Sequence, residues 1–362
     1  MEKTDNIDKQ PKTLISAVAE FYRYVMASIK TRSLKEWVAF GKENLKEYAE
    51  EIRIKTKDLK KTNFELALYH FYKGNLSDAR FRFRFVKLFW KDMIECDYFI
   101  ARTFFLDKAF KKARPYLEMY INSSDQRYIE ETKYCLDVID AHTDSITTIP
   151  LNVIKENYNI YAGFYNQLVE ANIHDSPQLK LSQMILKYLN ELNKPVVNKV
   201  LDLGCGTGLV GKQLKAARNI NYMIGVDIAN SMLNEAKGLQ EGTEPVYNET
   251  INSDVDHYFT NTLNKEKFDI FIASSLLNYY SDTKRFFESC AKMAVSGALL
   301  CLTFRTHEQS VLKLFSSGVE EFSYSTNLLK KVQSEQGWTL INEGEIKFLD
   351  GSSGMYMISQ LK

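Results

Sequence analysis

Between residues 200 and 209 the chain reads Val200-Leu201-Asp202-Leu203-Gly204-Cys205-Gly206-Thr207-Gly208-Leu209: an apolar run, an acid, then three glycines at alternate positions before a helix-compatible segment. Such a run predicts strand, tight turn and helix in immediate succession. Glycines lack a Cβ and let the backbone approach a ligand closely, and the following helix start offers unpaired N–H groups to it. The stretch is a nucleotide-binding turn, and the alternation of strands and helices after it predicts a doubly wound, mainly parallel sheet.

The glycine spacing narrows the ligand. A nicotinamide fingerprint wants glycine at the first, third and sixth positions, whereas here Gly208 is fifth and Leu209 is sixth, which weakens a dehydrogenase reading. A second apolar run, Tyr222-Met223-Ile224-Gly225-Val226, ends in Asp227, nineteen residues after Gly208. An acid at the tip of a second strand can accept hydrogen bonds from both hydroxyls of a ribose.

Asp202 to Gly208, with Asp227 after it, resembles the first motif of the class I S-adenosylmethionine-dependent methyltransferases. The resemblance implies a Rossmann-like seven-stranded sheet closed by an antiparallel strand, and S-adenosylmethionine as cofactor. It implies cofactor contacts from Asp202, Gly204, Cys205, Gly206 and Gly208 in the turn, from Asp227, Ile228 and Met232 after the second strand, and from Ser274 after the fourth. Asp254 and Val255 stand where the family contacts the adenine amino group, although Asp254 can equally cap the next helix. Asn230 or Ser231 is expected to cap the helix running to Lys237.

Upstream, Tyr158-Asn159-Ile160-Tyr161 is similar to a tyrosine-bearing helix of bacterial methyltransferases with an amino-terminal tetratricopeptide-like domain. Tyr158 and Tyr161 are therefore either cofactor contacts or packing residues. The expected organisation is a disordered lead over 1–12, a helical tetratricopeptide-like domain over 13–145, and a methyltransferase domain over 151–362. Within the last, 151–195 form a helical cap and 196–362 the sheet. Helical spacing begins with residues such as Trp37, Phe40, Leu45 and Tyr48.

A 34-residue period relates Ala67 to Ala101 and Cys135, Ala79 to Ala113, Phe83 to Leu117, and Val86 to Tyr120. Paired helices need small side chains where they cross, so the period fits a helical hairpin array, with a plain bundle as the alternative. Arg80, Arg84, Lys87 and Lys91 share one helix face and Phe81, Phe85 and Leu88 another. The basic face is either solvated or a docking surface for an acidic partner, and the apolar face is expected to be buried.

Forty-seven basic and 46 acidic residues leave a net charge of +1, without the basic excess of a nucleic-acid binder. Met1 to Lys12 lacks the apolar core of a signal peptide, and the longest apolar run, Met293 to Leu302, is about half a membrane span. The five dispersed cysteines argue against zinc and disulfides, so reduced thiols in a cytoplasmic protein are expected.

The loop Ser274 to Tyr280 should face the substrate. Proton-acceptor candidates are His307, Tyr279 and Tyr324, with His257 and Tyr280 behind them, and Arg305 could hold an anionic substrate or pair with Glu308. Without an Asn-Pro-Pro-Tyr-like motif, methylation of adenine or amide nitrogen by that route is disfavoured. The functional expectation is methyl transfer to an unidentified acceptor, either a protein read by the helical array or a small molecule. The alternative is an interaction protein that binds cofactor without turnover.

Overall fold

The computed structural model describes residues 59–140, 146, 148–171, 176–262, 266–280, 282–307, 313–316, 320–348 and 351–362. The lead over 1–12, the helices expected around Trp37 to Tyr48, and Glu308 lie outside the described residues. The chain divides into two compact units, Met1–Thr62 and Asn63–Lys362. The second holds both the helical array and the sheet.

After helical residues 63–72 come α1 (Leu76–Phe89), α2 (Glu95–Leu106), α3 (Phe110–Ile121) and α4 (Ile129–Ile139). α1 and α3, and likewise α2 and α4, begin one 34-residue period apart. Every repeat position named from the sequence is fully buried, from Ala67, Ala101 and Cys135 to Val86 and Tyr120. Alanines where helices cross let the backbones approach, and aromatic rings fill the remaining space, as where Phe83 stacks on Phe99 with ring centroids 5.1 Å apart.

The outer faces of α1 depart from expectation only in part, since Arg84 stays exposed and Phe85 is half-buried. Phe81 and Leu88 are 71% and 70% exposed. Arg80 instead donates to Thr103 Oγ1 at 2.9 Å, pairs with Asp107 and lies over the Phe104 ring, while Arg84 reaches Tyr116 and Lys87 pairs with Asp97 at 2.8 Å. The cause is aliphatic: arginine and lysine stems cover neighbouring rings while their heads find partners on α2 and α3.

Helix α5 (Leu151–Ala171) joins the array to the sheet. Glu156 on α5 accepts from Arg102 on α2 at 3.0 Å and from Tyr98, and Arg102 is completely buried. α6 (Pro177–Glu191) follows, started by Ser176, whose Oγ accepts from Leu179 N, and by Pro177 in the first turn.

The sheet contains β1 (Val196–Leu203), β2 (Asn219–Asp227), β3 (Glu249–Asn252), β4 (Phe268–Ser274), β5 (Ala294–Arg305), β8 (Trp338–Lys347) and β9 (Ser353–Leu361). A short hairpin, β6 (Lys313–Ser316) and β7 (Glu320–Ser323), lies between β5 and β8 in sequence. Its order is β8-β9-β5-β4-β1-β2-β3, with β1 to β5 parallel and β9 antiparallel to β5. This is the expected Rossmann-like sheet of seven strands with an antiparallel closing strand. α7 (Leu209–Ala217), α8 (Asn230–Lys237), α9 (Val255–Thr262), α10 (Lys284–Lys292) and α11 (Thr326–Glu335) complete the layers.

Alternation along β1 feeds both faces: Val200 packs with Leu181 and Ile185 of α6, while Leu201 and Leu203 pack into the core containing Phe259 and Phe286. Strand order reverses between β1 and β4, which opens a crevice at the carboxyl ends of the strands. The register aims four loops into it: Leu203 lies opposite Val226, Asp227 opposite Asn252, and Asp202 opposite Ile272.

Candidate functional site

The turn after β1 is held by backbone N–H groups and by one side chain, that of Asp227. Gly204, Gly206 and Gly208 all have positive φ, of 65°, 55° and 85°, and Gly208 caps α7 in the left-handed conformation. Gly204 N and Cys205 N both donate to Val226 O, at 2.8 and 3.0 Å. Asp227 then closes the turn, its carboxylate accepting from Gly206 N at 2.9 Å and Ala229 N at 2.8 Å.

Two buried carboxylates face this cradle. Burial pushes Asp227 up to about 6, against the pull of the Ala229 and Gly206 N–H groups. Burial pushes Asp202 up to about 7 although Tyr247 donates to it at 2.7 Å. Tyr247 was not singled out from the sequence. It fills the space left by missing side chains: Cβ atoms at Gly208, Gly211 and Gly225 would lie 2.8, 2.4 and 3.0 Å from its ring or hydroxyl.

A cavity of about 570 Å³ opens over the turn. Of the residues expected at the cofactor, Tyr158, Asp202, Gly204, Cys205, Gly206, Asp227, Ile228, Met232, Asp254, Val255 and Ser274 line it. Gly208 and Tyr161 do not: Gly208 turns towards Leu239 and Tyr247, and Tyr161 packs beside Ala162, Ala229 and Met232. Asp254 also caps α9, accepting from His257 N at 2.9 Å. The expected Asn230 or Ser231 cap is replaced by one from α5, because Asn159 Oδ1 accepts from Ser231 N at 2.9 Å.

The acceptor candidates separate clearly. Tyr279, in the 3-10 turn Leu276–Tyr279, lines the cavity, as does Tyr280. His307 sits at the expected strand end but faces a separate cavity with Lys180 and Thr326. Tyr324 is buried and donates to Leu277 O at 2.9 Å, so it braces the turn that carries Tyr279. His257 is exposed on α9. Arg305 is buried, paired with Glu321 and stacked over the Phe348 ring at 4.2 Å, and is not available to an anionic substrate.

Other lining residues carried no sequence signal. Glu130, Thr148, Ile149, Leu151 and Ile154 bring α4 and the start of α5 to the cavity, and Gln178 donates to Tyr165 at 2.8 Å. Tyr165 could have been found from its spacing, two helical turns after Tyr158 on the same face. Among the described residues no cluster could hold a metal ion, and no helix is long and apolar enough to cross a membrane.

The cavity suits a cationic nucleoside. A Cβ on Gly206 would meet nothing within 4 Å, Thr207 Oγ1 and Gln178 Oε1 are buried without hydrogen-bond partners, and the two carboxylates ionise near neutrality. Residues 200–297 match the family model described as a methyltransferase domain. The chain carries a class I S-adenosylmethionine-dependent methyltransferase domain.

Curated relatives of this methyltransferase domain include the ubiquinone biosynthesis O-methyltransferase of Hahella chejuensis, 24% identical over 166 residues covering 42% of this chain and 67% of that one. The enzyme of the same name from Coxiella burnetii (strain RSA 493) is 29% identical over 146 residues, covering 40% and 58%. The chain therefore spans only part of each relative's length. Among solved structures, magnesium protoporphyrin IX methyltransferase from Synechocystis with bound S-adenosylmethionine aligns with a TM-score of 0.39 at 17% identity, covering 51% of this chain and 79% of that one. A methyltransferase from Clostridium acetobutylicum gives 0.41 at 17% identity, covering 56% and 98%. All five cysteines are buried, and none is joined in a disulfide.

Proposed function

We propose that this chain methylates a hydroxyl group of a small, uncharged or cationic molecule. The observation that carries the reading is that the cofactor cradle and a second group of polar side chains, Tyr158, Tyr165, Gln178 and Tyr279, line one cavity whose far wall is helical. A cavity of this size suits a small molecule beside the cofactor. Six carboxylates against one guanidinium, Arg285, disfavour an anionic acceptor. The curated relatives are named as O-methyltransferases, which supports oxygen as the acceptor atom.

In this reading the helical array walls the acceptor chamber, and the expected role in recognising a protein substrate or partner has no support. Its tetratricopeptide-like character belongs to the proposal, supported by the shared period and its buried small residues. A cytoplasmic setting likewise belongs to the proposal, supported by the absence of a disulfide among the described residues.

When bound, S-adenosylmethionine supplies a methyl group already activated on a sulfonium centre. The chain's own part is to hold and dehydrate the partners. Asp227 and the Gly206 backbone hold the nucleoside end, Ile149 and Ile154 exclude water, and the tyrosine hydroxyls orient the nucleophile. The test is a panel of dihydric phenols, matched amines and matched carboxylates offered to the purified chain with methyl-labelled cofactor. Label on the phenols is expected; label confined to amines or carboxylates would overturn the reading.

A further inference from the structure

Three side chains from distant segments form a continuous line from the cavity into the protein. Tyr158 Oη on α5 and Tyr279 Oη in the 3-10 turn are 2.6 Å apart, and Tyr279 Oη lies 2.7 Å from Glu321 Oε1 on β7. Glu321 is 6% exposed, and its other oxygen is held by Arg305 Nε. Arg305 is fixed in turn by the Phe348 ring, by Ser352 and by its own N–H to Asn278 Oδ1 at 2.9 Å.

Counting hydrogens fixes the direction of this line. A carboxylate only accepts, so Tyr279 spends its single hydrogen on Glu321. Tyr279 must then accept from Tyr158, which spends its own hydrogen in doing so. What Tyr158 has left to offer is a lone pair. The cavity end of the line is therefore an acceptor, suited to an O–H or N–H group of a bound molecule.

We propose that Glu321 is the terminal proton acceptor of methyl transfer, reached from the cavity through Tyr158 and Tyr279, an inference that rests on the hydroxyl-methylation reading above. As the acceptor oxygen forms its bond to the methyl carbon, the breaking carbon–sulfur bond leaves its electron pair on sulfur. The hydroxyl proton passes to Tyr158, the Tyr158 proton to Tyr279, and the Tyr279 proton to Glu321, which ends as the neutral acid. Both tyrosines finish as they began, each with one proton.

Neither tyrosine serves as the base itself. Burial, reinforced by the charge on Glu321, raises both hydroxyls well above the ordinary tyrosine range, so they remain neutral carriers. Arg305 is a positioning residue that keeps the carboxylate aimed at Tyr279. Besides Arg305 and the two tyrosines, Tyr165 and Asp227 belong to the same electrostatic neighbourhood, since Tyr165 senses the charges of both Glu321 and Asp227.

The experiment uses the full chain with 4-nitrocatechol, a chromogenic dihydric phenol. It follows the absorbance of the bound probe in the presence of S-adenosylhomocysteine, and labelled transfer across pH in the presence of S-adenosylmethionine. Wild type should shift the bound probe's spectrum towards the phenolate at a pH where the free probe is neutral, and should transfer at a rate nearly flat with pH. Tyr279→Phe keeps the Glu321–Arg305 pair and the cofactor cradle. It should lose the spectral shift and about 10²-fold in rate at acid pH, recovering tenfold per pH unit up to the probe's own ionisation. Glu321→Gln should match it, and unchanged S-adenosylhomocysteine affinity reports that both variants are folded. Unchanged spectrum and pH profile in Tyr279→Phe would overturn the relay alone. Failure of wild type to methylate any phenol would overturn the hydroxyl reading, and the relay with it.

Discussion

The two halves of the cavity are built in opposite ways. The cradle comes from one short stretch, Gly204 to Gly208, closed by Asp227, and its contacts are largely backbone N–H groups. The other half, proposed to hold the acceptor, is assembled from side chains of α5, α6 and the 3-10 turn, with Glu321 of β7 behind them and Tyr158 and Tyr279 separated by 121 residues. A local site fails when its backbone geometry is denied, whereas a dispersed one fails when the elements that carry it shift. Substitutions in the two halves should therefore separate cofactor binding from acceptor handling.

The sharpest blow to the acceptor half should fall outside the cavity. Arg102→Leu leaves Glu156 buried without its cation on the helix that carries Tyr158. The expected loss is about 3–5 kcal/mol in urea unfolding, largely recovered when Glu156→Leu is added. A single variant as stable as wild type would show that this pair does not anchor α5.

Next in size is the cradle. Gly208→Val asks a β-branched residue to adopt φ +85° with its Cβ 2.8 Å from Leu239 and Tyr247. Strain and overpacking together should cost roughly 2–5 kcal/mol, read from the same unfolding midpoint. Gly206→Val acts differently, because a Cβ there meets nothing within 4 Å. It keeps the strain of φ +55° but not the overpacking, so it should cost less stability than Gly208→Val and should also disturb binding by projecting into the ligand space.

Asp227→Ala removes the carboxylate that closes the turn. Calorimetric affinity for S-adenosylhomocysteine should fall by about 2 kcal/mol, near thirtyfold, and an unchanged affinity would remove Asp227 from the cofactor site.

The smallest effect expected is on pH. Asp202 and Asp227 must be ionised to meet a cation, so affinity for S-adenosylmethionine should weaken as pH falls through about 7 and then about 6. Stability of the free protein runs the other way. Carboxyls raised by folding contribute stability that is complete below their unfolded value of about 4 and is lost as pH rises through the folded values. Thermal unfolding of the free protein should therefore show this contribution fading between about pH 4 and 7, with cofactor restoring more stability at the upper end.

Most of the cradle was legible in the sequence because its determinants are local. Positive φ selects glycine, and an acid at a strand tip is set by register with the next strand. The relay was not legible. Tyr279 drew notice as a loop hydroxyl, but Glu321 lies 42 residues further on in a short hairpin that no periodicity announced. His307 and Tyr324 follow the right strands, yet the first faces another cavity and the second braces a turn. The basic stripe on α1 misled for a different reason: spacing identifies a face but not its neighbour, and here the neighbour was a row of rings and acids.

Cradle and helical wall line one chamber, which is proposed to hold a small acceptor beside the cofactor. The most direct test of that proposal is transfer of labelled methyl from S-adenosylmethionine into a cell extract, separated afterwards into small-molecule and protein fractions, with Asp227→Ala as the control. Label is expected in the small-molecule fraction with wild type and little with the variant. Label confined to the protein fraction would contradict it.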